Sequence, residues 1–238
     1  MTVERHLDWD GCFNARDLGG LRTADGREIR RGAVVRSATV NHLTAAGWSA
    51  LYDYGIRTIV DLRNDGELGT DANPRPAGLM TVHLPLDGVE DTEFWDYWGR
   101  GRHGTPIYYG PFLDRFPRRT AGVLAAIAHA GPGGVLVHCG AGRDRTGIVS
   151  MLLLALAGVP GEDIAADHDL STDRLPPLFA LMGRADEGPR IAEILAEANT
   201  TAREVILETL AGMDVEAYLR AGGLDDRDLA ALRERLVR

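Results

Sequence analysis

Cysteine is scarce in this 238-residue chain: only Cys12 and Cys139 are present. Two thiols supply no disulfide framework, so a reducing compartment is the simplest home. The chain also lacks any apolar run of about eighteen residues, which excludes an ordinary membrane-spanning helix. Residues 1–11 (MTVERHLDWDG) are polar and charged, without the basic start and apolar stretch of a cleaved export signal. These absences predict a cytoplasmic protein with no integral membrane association, export by a signal-free route staying open. Positive charge is short as well. The formal net charge of -9 argues against general nucleic-acid binding, which needs a basic face. It does not argue against a small anionic ligand, because distant charges are screened over roughly 8 Å. Convergent metal-ligand spacing is missing too. His6, His42, His83, His103 and His129 are scattered, and Asp167-His168-Asp169 only superficially suggests a site. No metal and no cofactor is expected.

What is there centres on residues 135–147, VLVHCGAGRDRTG. The apolar run of Val135, Leu136 and Val137 reads as a strand ending at His138, and residues 148–157 (IVSMLLLALA) read as a buried helix. The loop between them should gather the backbone amides of Gly140, Ala141, Gly142, Arg143, Asp144, Arg145 and Thr146 into a nest at a helix N-terminus, which binds a dianion. Cys139 stands at its entrance and Arg145 at its exit, with five residues between them. Amides, a helix N-terminus and a guanidinium all favour thiolate, and such sites hold cysteine pKa at roughly 3.5 to 7.5. Cys139 is therefore expected to be a nucleophile, Arg145 to take two phosphate oxygens with its planar fork, and Thr146 to donate to the sulfur. A buried structural cysteine is the blander alternative, but it explains neither the two arginines nor the small residues at 140–142 that let the backbone close on a ligand. A nucleotide-binding loop would need a Gly-Lys-Ser/Thr ending that is absent.

Along the chain, residues 24–27 read as a hairpin turn, 33–36 as a strand, and 43–55 as a helix with Thr44 as N-cap and Gly55 as its stop. Residues 57–62 and 80–84 read as further strands, and 107–130 as two helical pieces broken near Pro117. Everything after Gly158-Val159-Pro160-Gly161 looks helical. This alternation predicts an α/β fold, a mostly parallel central sheet flanked by helices, with a helical extension over 160–238 packed on the core. With 45% apolar residues, one domain spanning 1–238 is expected. Sites in such sheets lie beyond the strand C-termini, so Ser37, Asp61, Arg63, Asp87 and Cys139 should gather at one edge. Residues 87–106, rich in Trp and Tyr and without firm period, are a candidate lid; a minor aromatic core is the other reading.

His138-Cys139, five residues, and Arg145-Thr146-Gly147 resemble the active-site loop of the cysteine-dependent phosphatases. The fuller string HCGAGRDRTG resembles the bacterial protein tyrosine phosphatase B type. Asn14 to Gly20 (NARDLGG), Val35-Arg36-Ser37, residues 59–63 (IVDLR) and Ala217 to Arg220 (AYLR) are similar to other motifs of that family. Arg143 departs from its more usual lysine. The resemblance implies a phosphatase-like fold and a phosphomonoester hydrolase, a protein-tyrosine phosphatase working through a phosphocysteine. It extends to phosphoserine and phosphothreonine, and the product is inorganic phosphate. A phosphoinositide phosphatase is the alternative, suited by two arginines in one loop, and a phosphate-binding module without catalysis is a third. Leaving group and water each need a proton transfer, which calls for a carboxyl group. Asp87, at a strand end and in a segment (HLPLD) similar to the family's acid-bearing one, is nominated, with Asp144 as rival and Asp91 and Asp96 nearby. Asp61 with Arg63, and Arg16 with Asp17, could edge the site, but read better as structural residues whose acids satisfy loop amides or a neighbouring arginine, and His138 reads as a loop anchor. Cys12 reads as structural, or as a partner able to protect Cys139 in a reversible disulfide.

Overall fold

Four short runs rich in β-branched residues, with the two-residue edge Arg16-Asp17, form the sheet, and their alternation shows which face each residue covers. The computed structural model describes residues 5–99, 102 and 104–237. In chain order come β1 (Arg16–Asp17), β2 (Val34–Ser37), α1 (Ala45–Asp53), β3 (Ile56–Asp61), β4 (Met80–His83), α2 (Thr92–Trp98), α3 (Tyr109–Arg115), α4 (Pro117–Ala128) and β5 (Gly134–His138). Helices follow to the end: α5 (Asp144–Leu156), α6 (Gly161–Arg174), α7 (Pro176–Leu181), α8 (Gly188–Glu197), α9 (Ala202–Ala211), α10 (Val215–Gly222) and α11 (Asp226–Leu236). The sheet order is β1-β2-β5-β3-β4, parallel except for the antiparallel edge strand β1. This is the α/β architecture that alternating strands and helices predict.

Period-two alternation sorts the strands onto two cores. Val34, Val60, Val135 and Val137 face the larger one, which also holds Leu124, Leu152 and, from the C-terminal helices, Ile206, Leu219, Leu229 and Leu232. Val35, Ile56, Ile59 and Leu136 face the other way, against Trp48 and Leu51 of α1. With both faces covered, β5 is buried along its whole length, as a central parallel strand should be. Thr44 caps α1 by accepting from the Gly47 amide, and Gly55 leaves that helix at φ +104°. Pro117 opens α4 at a first-turn position, where its missing N–H costs nothing.

The residues 87–106 differ from expectation in holding a regular helix, α2, capped by Asp91. Its aromatics pack inward: Phe94 lies 5.1 Å from both Trp95 and Phe116, and Trp95 lies 6.1 Å from Tyr108. Arg100, Gly101 and His103 of that stretch lie outside the described residues. Among the described residues no helix is long and apolar enough to cross a membrane.

The parallel register aligns the strand ends. Ser37 pairs with His138, His138 with Asp61, and Asp61 with His83, so the segments that follow leave the sheet side by side.

Helix α10 crosses α4 closely enough that a Cβ on Gly222 would lie 2.6 Å from both the Ala121 Cβ and the Pro117 carbonyl oxygen. Gly222→Ala is therefore expected to destabilise the protein by roughly 1–3 kcal/mol through overpacking, although alanine is the better helix former by about 1 kcal/mol. Urea denaturation checks the sign; a neutral or stabilised variant would mean the two helices separate freely.

Candidate active site

Between β5 and α5 the chain turns sharply at Gly142, whose φ of +67° and absent side chain let it press on β2. A Cβ there would lie 2.1 Å from the Ser37 carbonyl oxygen. The first turn of α5 has no side-chain cap at its N-cap residue, Arg143. Its amides are left for a ligand. The Gly142 N–H donates to Cys139 Sγ at 3.3 Å. Cys139 is 3% exposed and opens, with Gly140, Ala141, Arg143, Asp144 and Arg145, onto a cavity of about 840 Å³.

Arg145 and Asp87 line the same cavity. The Arg145 guanidinium grips the Glu67 carboxylate with both terminal nitrogens and lies 3.2 Å from Asp87 Oδ2. Burial opposes the charge on Arg145, but the Glu67 hydrogen bonds and the neighbouring Cys139 and Asp87 outweigh it and hold the pKa above that of free arginine. Asp87 is shifted the other way. Burial, with Glu67 and Asp144 adding to it, raises its carboxyl above the usual range against the pull of Arg145 and of Asn64, which donates to it at 2.7 Å. The Trp95 indole donates to the Asp87 carbonyl at 2.9 Å, so the packed aromatic segment fixes the backbone of this acid.

Asp144 is engaged differently. It pairs with Arg143 at 3.2 Å and accepts from the Tyr109 hydroxyl at 3.4 Å. The same hydroxyl lies 3.2 Å from His168 Nε2. Arg143 also reaches Glu187, at 3.0 Å.

A family model described as the tyrosine phosphatase family matches residues 7–238. The chain belongs to the tyrosine phosphatase family. A Cupriavidus necator protein provisionally named a tyrosine-protein phosphatase is 35% identical over 178 residues, covering 71% of this chain and 64% of that protein. The match thus spans just under two thirds of that relative's length. The triple specificity protein phosphatase PtpB of Mycobacterium tuberculosis is 27% identical over 241 residues, covering 89% of this chain and 85% of the relative. A tyrosine-protein phosphatase of Nostoc commune is 34% identical over 145 residues, covering 60% and 49%.

One expectation about donors needs correcting. Thr146 is buried, and its hydroxyl makes no hydrogen bond, so the Gly142 amide and not Thr146 serves the sulfur. The reason is helical geometry: Thr146 is already inside α5, with its side chain in the core. Cys12 and Cys139 are both free thiols, and Cys12 packs on the core cluster of the opposite sheet face from Cys139. Burial pushes the Cys12 thiol up to about 12, with a Ser37 hydrogen bond opposing, which suits a structural residue better than a redox partner. Asp61 and Arg63 form a buried pair at 2.6 Å, and Arg63 continues to Thr39 at 3.1 Å and to Asn41 at 2.5 Å. Asp17 accepts from the Gly19 and Gly32 amides and from Tyr54, while Arg16 pairs with Asp167 and not with its neighbour. In the Asp167-His168-Asp169 run, Asp167 is committed to Arg5, Arg16 and Arg36.

Sequence reasoning missed Glu67, Asn64 and the wall formed by Leu178, Phe179 and Met182. Glu67 carried one usable signal, its place in an Asn64-to-Glu67 capping box directly after the strand-end Arg63.

His138 is fully buried, with Nδ1 3.1 Å from the Cys139 carbonyl oxygen, the anchor expected of it. Burial lowers its pKa to about 4, against the attraction of Asp61. The unfolded chain takes up a proton near pH 6.5 that the folded protein refuses, so this contribution to stability is complete above about 6.5 and lost as pH falls toward 4. His138→Asn should flatten the pH dependence of the unfolding free energy over that window by roughly 2–3 kcal/mol. Denaturation curves for the two proteins that run parallel from pH 7.5 to 4.5 would refute this.

Proposed function

We propose that the protein hydrolyses phosphomonoesters as a protein-tyrosine phosphatase, in one domain, through a phosphocysteine. The observation that carries this reading is the convergence of Cys139, Arg145 and Asp87 on one cavity floored by uncapped helix amides. In the first step the Cys139 thiolate attacks phosphorus, the P–O bond to the substrate breaks, and the Asp87 carboxyl gives its proton to the departing oxygen. In the second, water attacks the phosphocysteine, the S–P bond breaks, Asp87 takes the proton from water, and inorganic phosphate leaves. Arg145 and the loop amides carry the charge of the transferring phosphoryl oxygens throughout. To do so the substrate phosphate takes the fork of Arg145 from Glu67.

Asp87 is favoured over Asp144 because burial raises its pKa and so favours the protonated form, whereas Asp144 already accepts from Arg143 and Tyr109. Tyr108, Leu178 and Phe179 on the cavity wall suit the ring of phosphotyrosine more than a short alkyl phosphate. The second reading, a phosphoinositide phosphatase, draws on Arg143 beside Arg145 and on the printed triple specificity of the Mycobacterium tuberculosis relative. The pairing of Arg143 with Asp144 and Glu187 leaves it little charge to spend on a second phosphate, which favours tyrosine.

Purified protein should release p-nitrophenol from p-nitrophenyl phosphate, and Cys139→Ser should reduce release to the buffer background. Equal, negligible release from both proteins would leave only a phosphate-binding module. Asp87→Asn should lower the first-step rate by about 10²-fold for alkyl or other poor leaving groups and far less for p-nitrophenol. Because the acid must be protonated, wild-type rate on poor leaving groups falls as pH rises through the raised Asp87 pKa, and the variant lacks that limb. A uniform loss across leaving groups would pass the role to Asp144.

A further inference from the structure

Each peptide plane of the loop that points an N–H at the cavity points its C=O backward, because the group is planar and trans. Those carbonyls are buried and need donors. The plane joining Ala141 to Gly142 shows the coupling: its N–H lies 3.3 Å from Cys139 Sγ, and its carbonyl, on Ala141, accepts from Asn14 Nδ2 at 3.1 Å. The next carbonyl, of Gly142, accepts from Asn14 at 3.2 Å and from Arg36 at 2.8 Å. The one after, of Arg143, accepts from Arg36 at 3.3 Å.

We propose that Asn14 and Arg36 are positioning residues for the phosphate-binding loop, fixing three successive peptide planes so that their amides face the anion. Both are held from behind by one carboxylate. Arg36 meets Asp167 Oδ2 at 2.8 Å, while Asn14 Oδ1 accepts at 2.5 Å from Arg16, which in turn meets Asp167 Oδ1 at 3.2 Å. Asn14, Arg16, Arg36 and Asp167 are all at most 2% exposed, so the assembly is shielded from bulk solvent and its geometry restrained. Asn14 also holds a φ of +53°, a left-handed conformation uncommon outside glycine that persists where surroundings over-determine it.

This inference rests on the reading of residues 139–145 as an oxyanion cradle. Its test is tungstate binding by calorimetry, made in the Cys139→Ser protein with and without Asn14→Ala or Arg36→Lys. Alongside it, the pH dependence of Cys139 alkylation by iodoacetamide is followed in protein that keeps the thiol. Each substitution should lower tungstate affinity at least tenfold and move the alkylation midpoint to higher pH, because the Gly142 N–H is no longer steadied on the sulfur. Leu232→Ala, buried in α11, is the control for lost stability and should move neither readout. Affinities within twofold of the parent, or an equal shift from Leu232→Ala, overturn the proposal. Arg36→Lys keeps the charge beside Asp167 and decides alone if Asn14→Ala does not fold. Tungstate binding without p-nitrophenol release would sink the catalytic reading and leave this one standing.

Discussion

A loop that shows its amides to an anion must hide its carbonyls, and hidden carbonyls need donors brought from elsewhere in the chain. In this fold that requirement organises far more than the loop. The donors sit on Asn14, ahead of β1, and on Arg36 of β2. Their counter-charge is Asp167 on α6, and Ser171 on the same helix bonds both Asn14 and Arg16. The edge strand, a central strand, the active-site loop and the first helix after α5 are therefore tied through one buried carboxylate. Removing a single partner from such a knot leaves buried charges without compensation, which is more damaging than the small net worth of any one pair.

The chain contains no lysine, so all of its cations but histidine are arginine. Burial, with the like charge of Arg36 adding to it and Asp167 opposing, lowers Arg16 to about 9, which still leaves it protonated at neutral pH. A lysine starts lower, at about 10.4, and so has less margin against the same burial. It would also offer one point where Arg36 uses separate nitrogens for Asp167 and for two loop carbonyls. The same arithmetic governs the cavity. Arg63, Arg143, Arg145 and Arg184 each face a carboxylate, so the site is close to balanced before a dianion enters. In the proposed reaction a phosphate would bind by displacing a carboxylate from a fork, and the negative charge it adds would bear most on the carboxyl already raised by burial, Asp87.

What the sequence made legible follows from distance along the chain. The loop at 139–145, the helix behind it and the strand ends at Ser37, Asp61 and His83 are local patterns, and period-two alternation with short linkers placed them on one edge. Asp87 was reachable because it follows such a strand end. Glu67 was not, since its capping box with Asn64 marks only a local turn and says nothing of an arginine 78 positions away. Arg16 and Asp17 were legible as structural residues, but not their partners: adjacent strand residues point to opposite faces, so Asp17 takes loop amides while Arg16 reaches Asp167, 151 positions away. The aromatic stretch hid its helix for a related reason. The packing of Phe94, Trp95 and Trp98 around α2 depends on Tyr108, Phe112 and Phe116, so its regularity is supplied by tertiary contact.

That dependence gives the aromatic cluster a place in the chemistry. The proposed acid must stand still enough to aim its proton, while Asp87 sits in a connection with Gly88 at φ +62° directly after it. The bond from the Trp95 indole to the Asp87 carbonyl, and that from Asn64 to its carboxylate, restrain both ends of the residue. The indole is in turn held by its packing against Tyr108, on the cavity wall. Rigidity at the acid is thus borrowed from a small apolar core, in the same way that rigidity at the amides is borrowed from a buried ion cluster. The two supports differ in kind because their loads differ: peptide carbonyls demand fixed donors, whereas a carboxyl that must gain and lose a proton is better served by burial that raises its pKa than by another permanent cation.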